Sequence, residues 1–239
     1  MKIALIGYGK MGRAIEKIAL DRGHTIGLKI DLDNGYDLTE ANLRRNDVAI
    51  EFTGPASAPG NLSACFEAGI PVVCGSTGWL QEYDRIKKLF DQKGTAFIYA
   101  SNFSVGVNIF FELNKKLAAL MAFHPEYAVS MRETHHTQKK DAPSGTAITL
   151  AEQVMDNIPA LKSWVNAPAR SPEELSIISE RIDPAPGTHE VMYRSRIDDI
   201  EIRHTAHSRE GFATGAVLAA EYLVGKRGIF TMKDVLGFR

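Results

Sequence analysis

The residues best suited to chemistry lie together at Glu133-Thr134-His135-His136-Thr137-Gln138-Lys139-Lys140-Asp141-Ala142-Pro143-Ser144-Gly145-Thr146-Ala147. Imidazole donates or accepts a proton near neutral pH, and lysine brings a fixed positive charge. Beyond Pro143 and Gly145 the chain enters an apolar, helix-forming run over 147–155. If a helix starts at Gly145 and Thr146, its first backbone N–H groups favour an anion in front of them. A single loop is then expected to hold a proton donor, a cation and an anion site. The same residues also suit an ordinary solvated loop before a helix.

These groups need a scaffold, and its clearest sign opens the chain. Residues 2–6 read as a buried parallel strand, Gly7-Tyr8-Gly9-Lys10-Met11-Gly12 follows at once, and 13–22 read as an amphipathic helix. This is the G-x-G-x-x-G pattern of a dinucleotide site in its strand–turn–helix setting. Gly7 allows the tight turn, Gly9 lets a pyrophosphate approach the backbone, and Gly12 brings helix and strand together. A second strand over 25–30 ends in Asp31, whose carboxylate is placed to bond the ribose hydroxyls. Strands over 47–53, 71–74 and 96–99 then alternate with helices, which predicts a doubly wound parallel sheet. Ligands of such sheets sit at the carboxyl ends of the strands. That puts Thr53 and Gly54, Gly75, Ser76 and Thr77, and Ser101, Asn102 and Phe103 around the cofactor. Cys74 reads either as a nucleophile or as a small buried hydrophobe; no base or cation beside it in sequence favours the second.

Past residue 107 the character changes. A helix over 108–123, a strand over 126–132, an irregular stretch over 157–176 and strand-like patches at 174–182 and 191–203 predict an α+β domain with an open mixed or antiparallel sheet. An Ala-rich helix over 211–224 has the composition to pack on the first domain. The expected division is a dinucleotide-binding domain, 1–103 with 212–239, and a second domain, 104–211, for substrate binding and self-association. The chain would cross at 102–106 and 208–212, with the active site in a cleft that closes on its ligands. The strand-rich region has too few helices to cover both sheet faces, so an uncovered apolar face is expected to find a partner.

Composition narrows the function classes. The chain has 239 residues, 44% hydrophobic and 24% charged, with a formal net charge of −1. Such a balance describes a soluble globular protein and points to neither nucleic acid nor an anionic membrane. No apolar run approaches the roughly 20 residues of a membrane span. The N-terminus lacks a signal-peptide pattern, and the two cysteines, Cys65 and Cys74, suggest a reduced compartment. A cytoplasmic protein without a metal centre is expected.

A set of motifs running through nearly the whole chain goes further. It comprises Gly7-x-Gly9-x-Met11-Gly12-Arg13, the 47–53 strand, Gly75-Ser76-Thr77-Gly78 and Asn102-Phe103-Ser104-Val105-Gly106. It continues with His135-His136-x-x-Lys139-x-Asp141-Ala142-Pro143-Ser144-Gly145-Thr146-Ala147 and Gly187-x-His189. Ile200-x-Ile202-x-His204-x-Ala206-x-Ser208-Arg209 and Phe212-Ala213-x-Gly215-Ala216 complete it. Together they resemble the 4-hydroxy-tetrahydrodipicolinate reductase (dihydrodipicolinate reductase) family of bacterial lysine and diaminopimelate biosynthesis. The resemblance implies a Rossmann-like fold and an oxidoreductase that takes hydride from NADH or NADPH to a cyclic, unsaturated dicarboxylate. It also implies a homotetramer. By resemblance His135 is the proton donor, Lys139 and His136 assist and bind substrate, and Gly145 and Thr146 hold a substrate carboxylate. The cofactor would lie on Gly7, Gly9, Lys10, Met11, Gly12, Asp31, Thr53, Gly75, Ser76, Thr77, Ser101, Asn102 and Phe103. The chemistry agrees with this: hydride adds at one carbon, and the carbanion-like partner atom needs an acid that a neutral dihydropyridine cannot supply.

The chain departs from the family pattern at Ser101 (usually Pro), Leu32 (often Arg), Gly54 (commonly basic) and 182–186, and it is short around 34–46. Asp31 would repel a 2′-phosphate, and Leu32 and Gly54 offer it no positive partner, so NADH is expected to serve at least as well as NADPH. Two other classes remain. A non-catalytic nucleotide sensor would have no use for a proton donor beside a cation. A semialdehyde dehydrogenase working through a thioester needs an activated cysteine.

Overall fold

The structure, a computed structural model, describes residues 1–238. Its chain forms two compact units: Met1–Val105 together with the segment from Arg209 onward, and Gly106–Ser208.

In the first unit, β1 (Lys2–Ile6), β2 (Thr25–Ile30), β3 (Val48–Glu51), β4 (Val72–Cys74), β5 (Ala96–Tyr99) and β11 (Gly228–Phe230) form one sheet in the order β11-β5-β4-β3-β1-β2. Every pairing is parallel. Because successive side chains of a strand point to opposite faces, each strand feeds two cores. Ile3, Leu5, Val48 and Ile50 pack with α1 (Lys10–Asp21), α7 (Glu210–Leu223) and α8 (Met232–Leu236). Ala4, Ile6, Ala49 and Val72 pack with α2 (Glu40–Leu43), α3 (Ala58–Glu67) and α4 (Tyr83–Lys93). This is the doubly wound arrangement, and the strand order reverses between β1 and β3. A crevice at such a reversal, outside the carboxyl ends of the strands, is where these sheets take ligands.

Two elements differ from the sequence reading. Helix α1 starts at Lys10, not at residue 13, so the last glycine of the G-x-G-x-x-G pattern is helical. β11 and α8 have no counterpart in the reading. Their sequence signal was a capping box: Thr231 and Asp234 each bond the other's backbone N–H at the start of α8.

The second unit carries a mixed sheet of β6 (Ala128–His135), β7 (Ser163–Val165), β8 (Glu174–Arg181), β9 (Gly187–Arg194) and β10 (Asp199–Ala206), in the order β10-β9-β6-β8-β7. β6 is parallel to β8 and antiparallel to β9. Met131, Leu175, Ile177, Val191 and Tyr193 point to one face, where α5 (Val105–Met121) and α6 (Gly145–Asn157) cover them with Phe110, Ala118, Leu150 and Val154. A fully buried Leu such as Leu150 contributes about 1.5–3 kcal/mol of burial. That fixes α6, and hence its first turn, against β6.

The opposite face corrects an expectation. It is polar, not apolar: Arg132 pairs with Glu180, Arg203 with Glu190, and Thr188 bonds Thr205. A second correction concerns the chemistry-bearing stretch, which is not all loop. β6 runs on through Glu133 and His135, and the loop begins only at His136.

Candidate active site

Alternation along β6 sends Met131, Glu133 and His135 to the covered face and leaves Arg132 and Thr134 on the other. Glu133 is therefore a carboxylate with 1% exposure, and an isolated charge so placed would be costly. The strand register supplies its partners. His135 stands opposite Arg181 on β8, and Glu133 opposite His189 on β9. Glu133 Oε1 accepts from Arg181 Nη2 at 3.0 Å and from the backbone N–H of Ser144 at 3.2 Å. Oε2 lies 2.8 Å from His135 Nδ1 and 3.9 Å from His189 Nε2. Burial alone would push this carboxyl up. The surrounding donors, His135 and Ser144 first among them, outweigh it and hold Glu133 well below the usual carboxylate range.

Arg181 also donates to the carbonyls of Lys139 (3.3 Å) and Asp141 (2.6 Å), which ties the loop after β6 to the same carboxylate. Within that loop the Lys139 ammonium lies 2.8 Å from both oxygens of Asp141. Asp141 is lowered: its burial is outweighed by Lys139. His136 is half-buried on the same loop. Ser144 caps α6, its Oγ accepting from the Ala147 N–H at 3.2 Å, and also lies 3.1 Å from His189 Nε2. Gly145 and Thr146 form the first turn of α6, where backbone N–H groups have no intrahelical acceptor to use. Burial, then the neighbouring His135, pull His189 down to about 3, so it is a neutral partner in this cluster.

With Nδ1 against Glu133, the other ring nitrogen of His135 is the one able to reach a ligand. Gly187 faces it: a Cβ at that position would come within 3.0 Å of Nε2. The glycine keeps this side of the ring clear. Among the described residues, Glu133, His135 and His189 are also the group whose ligand atoms come within 4.8 Å of one another. Arg181 and Ser144 already occupy one carboxylate oxygen, and the other lies 2.8 Å from His135 Nδ1 without an aligned hydrogen bond.

The glycine-rich turn of the first unit is built for a dinucleotide. Gly7 has φ +94, and a Cβ there would collide with the Phe52 carbonyl. One on Gly12 would collide with the carbonyl of Gly7. Gly9 caps α1 with no side chain over the helix end, and a Cβ there would meet nothing within 4 Å. A pyrophosphate can therefore reach the first-turn amides of α1. Lys10 is exposed and Met11 half-buried in that turn. At the end of β2, Asp31 is exposed in a turn held by Asn34, whose Oδ1 accepts from the Asp31 N–H at 2.7 Å. Thr53 and Thr77 are exposed at the ends of β3 and β4, while Ser76 is buried. Ser101 is exposed and Asn102 half-buried beyond β5, and the ring of Phe103 belongs to the core, 5.8 Å from that of Phe52.

Two family models match this chain end to end: residues 1–103 fit "Dihydrodipicolinate reductase, N-terminus" and residues 106–236 fit "Dihydrodipicolinate reductase, C-terminus". The chain belongs to the dihydrodipicolinate reductase family. Among its relatives, the 4-hydroxy-tetrahydrodipicolinate reductase of Christiangramia forsetii is 52% identical over 237 residues, covering 99% of this chain and 98% of that protein. The enzyme of the same name from Neisseria gonorrhoeae is 31% identical over 266 residues, covering 99% and 97%. The fold is shared with a dipicolinate-bound dihydrodipicolinate reductase from a Paenisporosarcina species, at a TM-score of 0.75, 22% identity and 97% coverage of both chains. In this dihydrodipicolinate reductase family member the N-terminal part is thus a nucleotide-binding Rossmann domain. Among the described residues, no helix is long and apolar enough to cross a membrane.

Glu133, Arg181 and His189 had no assigned role in the sequence reading. Glu133 was visible beside His135, but its burial was hidden once the stretch was taken as loop. The cysteines lose their catalytic alternative. Burial, then the charge of Glu51, pushes the Cys74 thiol far up, and burial does the same to Cys65. Neither thiol is activated.

The cluster has a pH signature. Unfolded, a histidine protonates near 6.5, whereas folded His189 stays neutral down to about 3. Between those values the unfolded chain binds the extra proton, so stability falls as pH falls, by up to about 1.4 kcal/mol per pH unit from this one group. Glu133, held low, adds a loss of the same sign below the ordinary carboxylate range. Chemical denaturation between pH 7 and 4 is expected to show a steep loss of stability in the wild type and a shallower one in a folded His189→Asn variant.

Proposed function

We propose that this chain is a 4-hydroxy-tetrahydrodipicolinate reductase, forming tetrahydrodipicolinate for lysine and diaminopimelate synthesis at the expense of a reduced nicotinamide cofactor. The observation that carries the reading, in a member of this family, is the buried Glu133 carboxylate 2.8 Å from His135 Nδ1, beside the first turn of α6. A reduced nicotinamide dinucleotide, when held there, would supply hydride to one carbon of the conjugated imine that remains once the 4-hydroxyl leaves as water. His135, protonated on both nitrogens, gives its Nε2 proton to the partner atom where negative charge builds up. Glu133 stabilises the imidazolium before transfer. Afterwards it keeps the remaining proton on Nδ1, which leaves the neutral ring in a single tautomer. Lys139, drawn from Asp141, and His136 bind a substrate carboxylate, and the first turn at Gly145 and Thr146 binds the other.

The cofactor lies on the glycine-rich turn and on Asp31, Thr53, Gly75, Ser76, Thr77, Ser101, Asn102 and the backbone of Phe103. NADH serves at least as well as NADPH. Leu32, 99% exposed beside Asp31, offers apolar surface and no charge. Two of the nearby cations are engaged, Lys29 with Glu16 at 2.6 Å and Arg13 over the Tyr8 ring, which leaves the exposed Lys10 as the remaining candidate partner for a 2′-phosphate. The test is to follow NADH and NADPH oxidation by purified protein on freshly made substrate. We expect turnover with both, and kcat/KM for NADH no lower than for NADPH. Leu32→Arg should move the ratio toward NADPH. No turnover would overturn the activity, and a clear NADPH preference would overturn the cofactor assignment alone.

The protein works as a cytoplasmic homotetramer. The free, buried Cys65 and Cys74 suit a reducing compartment. The polar face of the second sheet, with its acidic and basic side chains interspersed, and Ile200 exposed on β10, suits a self-complementary contact. Light scattering at micromolar concentration is expected to give four times the 26.3 kDa chain mass. A monomer mass would refute the assembly.

A further inference from the structure

A second buried carboxylate is unused by the chemistry above. Glu51, the last residue of β3, is 0% exposed and makes no ion pair among the described residues. Its charge is met by hydrogen-bond donors instead, drawn from three elements. Oε1 accepts from the Thr53 N–H at 3.1 Å, from the Thr53 hydroxyl, from the Ser76 hydroxyl at 2.9 Å and from Asn61 Nδ2 at 3.4 Å. Oε2 accepts from the Cys74 thiol at 3.1 Å. The network closes on itself, because the Thr53 N–H also donates to Ser76 Oγ at 2.7 Å and Asn61 Nδ2 to Thr53 Oγ1 at 3.2 Å.

The same loops are wedged together sterically. Phe52 lies between two glycines: a Cβ on Gly7 would strike its carbonyl, and one on Gly75 would strike its ring. The turn after β1, the loop after β3 and the loop after β4 thus share one packed junction beside the point where strand order reverses. Trp79 fixes the far end, its Nε1 donating to the Ser76 carbonyl at 2.8 Å.

We propose that Glu51 is a positioning residue for the cofactor, gathering Thr53 and Ser76 so that the loops after β3 and β4 are held in their binding shape before the dinucleotide arrives. This rests on the cofactor site described under the proposed function. It assigns Cys74 a role as well: a protonated thiol that satisfies the second carboxylate oxygen. Preorganisation of this kind acts on affinity, since an ordered loop has no ordering cost left at binding. A Thr53 or Ser76 hydroxyl without this acceptor would otherwise compete for water or for the ligand.

The geometry distinguishes two near-isosteric replacements. In Glu51→Gln the amide oxygen can still collect the donors at the Oε1 position, with the NH2 directed to Cys74 Sγ. In Glu51→Met the Thr53 hydroxyl, the Ser76 hydroxyl and the Cys74 thiol lose the carboxylate, while the Thr53 N–H keeps Ser76 Oγ and Asn61 keeps Thr53 Oγ1. We expect Glu51→Gln to bind NADH within about threefold of wild type by fluorescence titration, and Glu51→Met to bind at least tenfold more weakly. Substrate KM at saturating NADH should be little changed in both. Hydrogen exchange of the 52–54 and 75–77 amides should accelerate in Glu51→Met, in protein shown to be folded by circular dichroism. A merely structural role predicts a lower melting temperature with unchanged NADH affinity in the folded population, and that result overturns the proposal. If Glu51→Met does not fold, Asn61→Leu decides: faster exchange at 52–54 with weaker NADH binding supports the proposal, and neither change overturns it. Failure of the wild type to bind NADH or NADPH would instead overturn the cofactor reading on which the proposal rests.

Discussion

Everything in the second unit's chemistry depends on one buried carboxylate against one imidazole. Glu133 is placed inside by strand alternation, with a position on β6 that would otherwise take an apolar residue. An anion there is tolerable only if it is surrounded by donors. Arg181, the Ser144 amide and His135 meet that condition, and each does a second job in doing so. Arg181 clips the following loop, Ser144 starts α6, and His135 is fixed on its ring axis. His189 remains a neutral neighbour, held so by its burial first and by the nearby His135 next. The fold, the loop and the His135 ring thereby meet at two carboxylate oxygens.

The first unit repeats this logic with different donors. Glu51, which closes β3, is also buried, but it collects hydroxyls, amides and a thiol where Glu133 has a guanidinium, an imidazole and one backbone amide. The difference suits the two tasks. A proton donor needs an anion that stabilises its charged form. A dinucleotide carries its own negative charge, and a loop ordered by neutral donors adds no cation that would select for an extra phosphate.

What the sequence made legible was local. The glycine pattern is readable over a few residues, and two of its glycines prove to sit in close contacts, Gly12 against the Gly7 carbonyl and Gly7 against the carbonyl of Phe52, distant in sequence. The parallel sheet was legible because strands buried on both faces read as nearly unbroken apolar runs. The first turn at Gly145 and Thr146 also lies where the sequence places it, while the Ser144 cap comes from the structure. Less visible was anything set by register. Arg181 and His189 meet Glu133 only because β8 and β9 flank β6, and nothing in the spacing of residues announces that pairing. The end of β6 was misjudged for a related reason. Glu133 and His135 look hydrophilic, and hydrophilic clusters read as loop unless their partners are known. The outer face of the second sheet was expected to be apolar by counting helices, yet paired charges such as Arg203 and Glu190 solvate it.

The central claim is that His135 delivers the proton and that Glu133 orients it. The most direct measurement compares single-turnover NADH oxidation on saturating substrate for wild type, His135→Gln and Glu133→Gln, alongside NADH titration and circular dichroism. The account predicts that His135→Gln loses roughly 10²–10⁴-fold in rate, the range typical of a general acid. It also predicts that Glu133→Gln loses at least tenfold in rate, with NADH affinity unchanged in both. A folded His135→Gln enzyme turning over at near wild-type rate would contradict it.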